Sequence, residues 1–122
     1  MAQQIRDLVD TWVIYRSEED PGMWVAHSLN MDQIALGKTV LEACAALKPV
    51  IRSLLEAAEA DPTIQVLNPA PKEVRDRLRR AKPLSGDLVN RAEELLRSNR
   101  RRAEPREEGV ENFKTEFDLT AA

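Results

Sequence analysis

The sequence predicts an α+β fold: a three- or four-stranded antiparallel sheet with a long covering helix, then two helices and a C-terminal docking tail. Three observations predict it. Strand-like runs at Trp12 to Arg16 and Trp24 to Leu29 flank the turn signal Asp20-Pro21-Gly22. There proline pre-sets the first turn torsion and glycine accepts the positive φ of a type II turn. A third short run, Gln33 to Leu36, stops at Gly37. Thr39 with Glu42 three residues on then forms a capping box, in which each side chain satisfies a backbone N–H of the first helical turn.

The elements follow in order. Met1 to Asp10 carries Ile5, Leu8 and Val9 on one side of a short helical arm, or frays as a terminus. On the first strand Val13 and Tyr15 point one way and Trp12 and Ile14 the other, because strand side chains alternate. The second strand sets Trp24 and Ala26 against Val25, His27 and Leu29. Both sheet faces are therefore apolar, and one helix covers only one of them. A second protomer or the C-terminal helices must supply the other cover.

The helix from Thr39 places Val40, Cys44, Leu47, Ile51, Leu54 and Ala58 at helical spacing, a stripe for burial. Pro49 interrupts it, removing one hydrogen bond at a cost of roughly 3 kcal/mol, so a kink or a break is expected there. Asp61-Pro62 ends the unit. Thr63 to Leu67 alternates weakly and could add an edge strand as the fourth. Asn68-Pro69-Ala70-Pro71 reads as a stiff connector. Lys72 to Ala81 reads as a short helix, and about Asp87 to Arg102 as a third with Leu88, Ala92, Leu95 and Leu96 inward. Ala103 to Gly109 is a charged linker. Phe113 to Leu119 alternates apolar and charged residues, the period of a strand that adds to a sheet edge, its own or a partner's.

At the strand-to-helix joint the chain resembles the HicB-type antitoxin domain, also described as a partial ribonuclease H-like fold. The pattern Gly-x-Thr-x-x-Glu-Ala falls on Gly37, Thr39, Glu42 and Ala43, and Trp24-Val25-Ala26-His27-Ser28-Leu29 resembles that family's central strand. The likeness covers roughly the first half of the chain. It implies a non-catalytic binding module that inhibits a small ribonuclease toxin. Three regions follow: a HicB-like domain over 1–70, a basic helical pair over 71–102, and a linker and tail over 103–122.

Composition bounds the function. A chain of 122 residues has room for one modest core, and 32% charged residues against 4% aromatic ones point to an oligomer or a partner. The net charge of −3 hides a segregation: 5 basic and 10 acidic groups in residues 1–71, 12 and 6 in 72–106, 1 and 5 in 107–122. Such asymmetry speaks of partners rather than fold. A single cysteine, Cys44, allows no disulfide framework and suits a reducing compartment. Without a signal-like start or an apolar run of spanning length, the expected location is cytoplasmic, with no membrane.

Chemistry-bearing clusters are scarce. His27 is the only histidine, with no cysteine near it in sequence to complete a zinc site or a nucleophile pair. Two-metal nuclease chemistry needs converging carboxylates, and the first strand has none from Trp12 to Arg16. No cofactor, metal or catalytic residue is assigned, and the reading is not an enzyme. Candidates for contact with a protein partner are Trp12, Trp24, Phe113, Phe117 and Leu119. The rival reading is a nucleic-acid-binding regulator, with Arg75, Arg79, Arg80, Arg97, Arg100, Arg101 and Arg102 neutralising phosphates. The expected assembly is a homo-oligomer, with a small protein toxin as the partner implied by the resemblance.

Overall fold

In the computed structural model, residues 9–98 and 103–119 are described. The element order is β1 (Val9–Arg16), β2 (Trp24–Ser28), β3 (Ile34–Gly37), α1 (Val40–Ala60) and α2 (Lys72–Arg75), which runs into a 3-10 turn (Asp76–Arg80). β4 (Lys82–Pro83), α3 (Gly86–Asn90), α4 (Ala92–Arg97) and β5 (Asn112–Asp118) follow. The strands form one mixed sheet in the order β3-β2-β1-β5-β4. The meander and its covering helix are as expected. The tail strand does dock, but on its own sheet: β5 lies antiparallel to β1 and parallel to β4.

The register sorts the side chains into two faces. Ile14 pairs with Ala26 and with Phe113, and Trp12 with Ser28 and Thr115. Trp12, Ile14, Ala26 and Phe113, with Trp24, Ala35 and Phe117, face α1 and join Val40, Cys44, Leu47 and Ile51 in the main core. Trp12 stacks on Phe117 with centroids 4.3 Å apart, and Trp24 meets Phe113 at 5.7 Å. Stacked and tilted aromatic pairs of this kind add about 0.5–1.5 kcal/mol each beyond their area burial. On the opposite face Val13 and Leu29 pack with Ala70, flanked by Tyr15, Val74 and Leu78. The segment holding α2 and the 3-10 turn is therefore the second cover, but it reaches only part of that face.

Several elements differ from expectation. Residues 1–70 do not hold a complete sheet, because β5 is inserted between β1 and β4. Residues 71–102 are not a helical pair: Val74 and Leu78 sit on one side of the sheet, whereas Val89, Ala92 and Leu95 join the core on the other. Thr63 to Leu67 forms no strand. Its start is held in a turn by Asp61, whose Oδ1 accepts from the Thr63 N–H at 3.0 Å and hydroxyl at 2.6 Å. Its end runs beside the β2–β3 turn, where Asn68 and Ala70 N–H donate to Asn30 and Leu29 carbonyls.

The helices differ too. Helix α1 is not broken at Pro49, which lies on an exposed position where solvent can serve the carbonyl it leaves free. The expected single helix over 87–102 is interrupted at Arg91 (φ −100, ψ 9). There the Asn90 carbonyl accepts from buried Lys48 Nζ at 2.6 Å instead of continuing an α-helical ladder. No helix among the described residues is long and apolar enough to cross a membrane.

Candidate interaction surface

The joint between sheet and helix fixes everything around it. At Gly37 an added Cβ would lie 2.3 Å from the Ala43 backbone nitrogen and 2.6 Å from the Glu42 carbonyl carbon, so only glycine lets α1 lie this close to β3. Thr39 caps the helix by accepting from Glu42 N–H at 3.1 Å, and Lys38 N–H donates to Glu42 Oε2 at 2.9 Å. The box closes one residue earlier than the usual pattern.

The first turn of α1 is completed from far away in sequence. Val40 N–H donates to Glu107 Oε2 at 3.3 Å and Leu41 N–H to Glu104 Oε2 at 3.2 Å, while the Thr39 hydroxyl donates to Glu104 Oε1 at 2.6 Å. Ala43 N–H makes the first intrahelical bond, to the Thr39 carbonyl, and the N–H groups of Val40, Leu41 and Glu42, which a helix start leaves unpaired, all find side-chain acceptors. Glu107 also accepts from Trp24 Nε1 at 3.2 Å and pairs with Arg16, whose guanidinium lies 4.3 Å over the Trp24 ring. The charged linker is thus a clamp that leads β5 into the sheet. Burial pushes the Glu104 carboxyl above its usual value, against the hydrogen bonds it accepts.

Beyond the clamp the chain forms an open cleft of about 750 Å³ between the β1–β2 turn and the start of β5. It is lined by Glu18, Glu107, Glu108 and Glu111 together with Arg16 and Arg77. Both guanidinium groups are committed. Arg16 serves Glu107, and Arg77 lies 4.2 Å over the Tyr15 ring while donating to Asn112 Oδ1 at 3.1 Å and to Glu18 Oε1 at 3.4 Å. Glu18, Glu108 and Glu111 are exposed, as are Glu19 and Asp20 on the adjoining turn. The rim of the cleft is therefore acidic.

On the face away from α1 a phenol, an imidazole and a carboxylate lie in line. The Tyr15 hydroxyl is 2.9 Å from His27 Nδ1, and His27 Nε2 is 2.7 Å from Asp32 Oδ1. Asp32 adopts φ 53, a left-handed conformation that aspartate tolerates better than most residues. His27 is buried, and burial raises the Tyr15 pKa although Arg77 pulls the other way. The relay ties the β2–β3 turn to β1. Next to it, Ile34 and Leu36 of β3 are 51% and 46% exposed, two of the few large apolar side chains left open.

The site residues expected from sequence fall elsewhere. Trp12, Trp24, Phe113, Phe117 and Leu119 are buried at 3% exposure or less, so they are core and not contact surface; their stacking on one another explains why a chain poor in aromatics places them there. Arg75, Arg79 and Arg80 are exposed on the segment covering the second face. Arg97 ends α4, which packs on α1 across the sheet, so it does not join them. Arg100, Arg101 and Arg102 lie outside the described residues. Cys44 is buried, and burial pushes its thiol far up. Among the described residues no group of three or more His, Cys, Asp or Glu side chains could hold a metal ion. The exposed pair Ile34 and Leu36 escaped sequence reasoning, because apolar alternation in a strand does not say which face is covered. Set against known proteins, the chain matches no family model, no curated protein and no solved structure.

Proposed function

We propose that this chain is a non-catalytic protein-interaction module, working as HicB-type antitoxins do by binding and blocking a small basic toxin or similar protein. The observation that carries this reading is the acidic rim of the cleft, where exposed Glu108 and Glu111 stand beside the ion pairs Glu18–Arg77 and Glu107–Arg16, so that four carboxylates face two guanidinium groups. A basic partner gains from such a rim both in encounter rate and in register. The close joint at Gly37, capped by Thr39 and Glu42, supports the resemblance at the residues that suggested it. Self-association into a homo-oligomer belongs to the same reading, because the second sheet face is only partly covered.

The test is direct. The product of a small basic reading frame beside the gene, carrying a candidate catalytic histidine, is titrated with this chain in a ribonuclease assay. Inhibition that is lost in a Glu18→Lys, Glu108→Lys, Glu111→Lys variant supports the proposal. Absence of binding to that product, or equal binding by the reversed variant, refutes it.

A second reading keeps one observation in its favour: Arg75, Arg79 and Arg80 are exposed together. On this reading the chain is a nucleic-acid-binding regulator that contacts phosphates through that segment. Charge reversal of the three would then abolish salt-dependent retention on DNA or RNA, and would leave inhibition of the toxin intact.

A further inference from the structure

The two edges of the sheet are built differently. One ends in β4, two residues long, with a lysine and a proline, the usual protection against strand addition. The other ends in β3, which among the described residues is hydrogen-bonded to β2 alone. Ser28 N–H donates to the Gln33 carbonyl, and the antiparallel ladder continues through Ala26 opposite Ala35 and Trp24 opposite Gly37. Backbone groups alternate in direction along such a ladder. Gln33, Ala35 and Gly37 therefore turn their N–H and C=O groups towards β2, and Ile34 and Leu36 turn theirs outward.

The side chains of those same two residues stand exposed on the half of the sheet face that Ala70, Val74 and Leu78 leave uncovered. The edge thus offers hydrogen-bonding groups and apolar surface at the same two positions. Its sequence, Asp32-Gln33-Ile34-Ala35-Leu36-Gly37-Lys38, is complementary to itself when reversed about Ala35. Antiparallel pairing in that register sets Ile34 opposite Leu36 of the copy in both directions, using all four outward backbone groups. It also sets Asp32 level with Lys38 of the copy. Both are exposed, and Asp32 is oriented from behind by His27. Moving the register by two residues either way loses the charge match and brings Ile34 onto Ile34, or Leu36 onto Leu36.

We propose that β3 pairs with β3 of a second copy, antiparallel about Ala35, joining two five-stranded sheets into one continuous ten-stranded sheet with a two-fold axis through the strand pair. The inference rests on the homo-oligomer part of the proposed function and names its surface. A four-residue strand buries less than a standard interface, so the dimer is one that dissociates on dilution.

Sedimentation velocity from low micromolar to submillimolar concentration tests this with the full chain. The wild type is expected to pass from monomer to dimer. Ile34→Lys and Leu36→Lys, each at an exposed position, are expected to stay monomeric with unchanged circular dichroism and melting temperature. Lys38→Asp is expected to weaken the dimer about tenfold or more at low salt, as close like charges do. A wild type that remains monomeric overturns both this inference and the homo-oligomer reading. A dimer that survives both lysine variants overturns only the assignment to β3, and an unchanged constant in Lys38→Asp overturns the register. Toxin inhibition by the lysine variants is measured alongside, and its retention shows that the acidic cleft acts independently of the edge.

Discussion

Replacing Gly37 by alanine tests the joint on which the sheet and α1 depend. In most strands this change is mildly favourable, since alanine lowers the entropy of the unfolded chain by about 0.4–1 kcal/mol where its conformation is compatible. Gly37 is not among the residues with positive φ, so backbone conformation does not demand glycine. The obstacle is space: the new Cβ would stand 2.3 Å from Ala43 N, 2.6 Å from Glu42 C and 2.8 Å from Ala43 Cα. All three are backbone atoms of the first turn of α1, which Thr39, Glu104 and Glu107 hold in place. No side chain can swing away, so the helix must shift by about an ångström and break those bonds. Overpacking costs about 1–3 kcal/mol, and losing a buried cap hydrogen bond adds about 1–3 kcal/mol. The expected destabilisation is about 3 kcal/mol or more, a large share of the 5–15 kcal/mol typical of a domain.

Urea unfolding followed by the fluorescence of buried Trp12 and Trp24 measures it. Gly109→Ala provides the control. It has nothing within 4 Å of the added Cβ but φ +73, so its loss is conformational and about 1–2 kcal/mol. A Gly37→Ala variant as stable as the wild type, or less damaged than Gly109→Ala, would refute the close-approach argument.

Other consequences can be measured in the same way. Trp12→Ala and Phe117→Ala should each cost about 3–5 kcal/mol, and a double-mutant cycle should return a coupling of about 0.5–1.5 kcal/mol from their stacking; additive losses would contradict the contact. Glu104→Ala removes the acceptor for the Thr39 hydroxyl and Leu41 N–H, and should lower stability by about 1–3 kcal/mol. Asp10 is buried, accepting from Trp12 Nε1, Ser28 Oγ and Asn30 N–H, and burial raises its pKa. The folded state therefore binds its proton more readily than the unfolded chain. Asp10 contributes a gain in stability as pH falls from neutrality through its raised value towards 3.8, and loses it as pH rises. Asp10→Asn should remove that part of the pH dependence, which urea midpoints at neutral and mildly acidic pH will show. The Cys44 thiol, buried and far from ionising, should react with a thiol reagent only as fast as the protein unfolds.

What the sequence made legible is what is local. The turn at Asp20-Pro21-Gly22, the stop at Gly37 and the Thr39 cap are short-range signals, and β1, β2, β3 and α1 lie within a few residues of where they predict, although Gly22 does not take the positive φ of the expected type II turn. The tail was legible as a strand from the period of Phe113 to Asp118, but its partner was not, because register with β1 joins residues about a hundred positions apart. The same limit hid the clamp. Glu104 and Glu107 read as linker charge, yet they complete a helix start more than sixty residues earlier. Lys48 is likewise buried against the Asn90 carbonyl, 42 positions away, where it interrupts the helix. The same holds for Trp12, Trp24, Phe113, Phe117 and Leu119: a large apolar side chain on a strand reads alike whether it meets a partner or the chain's own core, and all five are buried.

Residue-resolved amide hydrogen exchange tests the central claim most directly: one sheet sealed internally by the tail strand, and open along β3. In dilute solution the β5 amides that face β1 should exchange as slowly as those of β1 itself, while the Ile34 and Leu36 amides exchange fast and gain protection as concentration rises. Fast exchange throughout β5, or strong protection of Ile34 and Leu36 in the dilute protein, would contradict it.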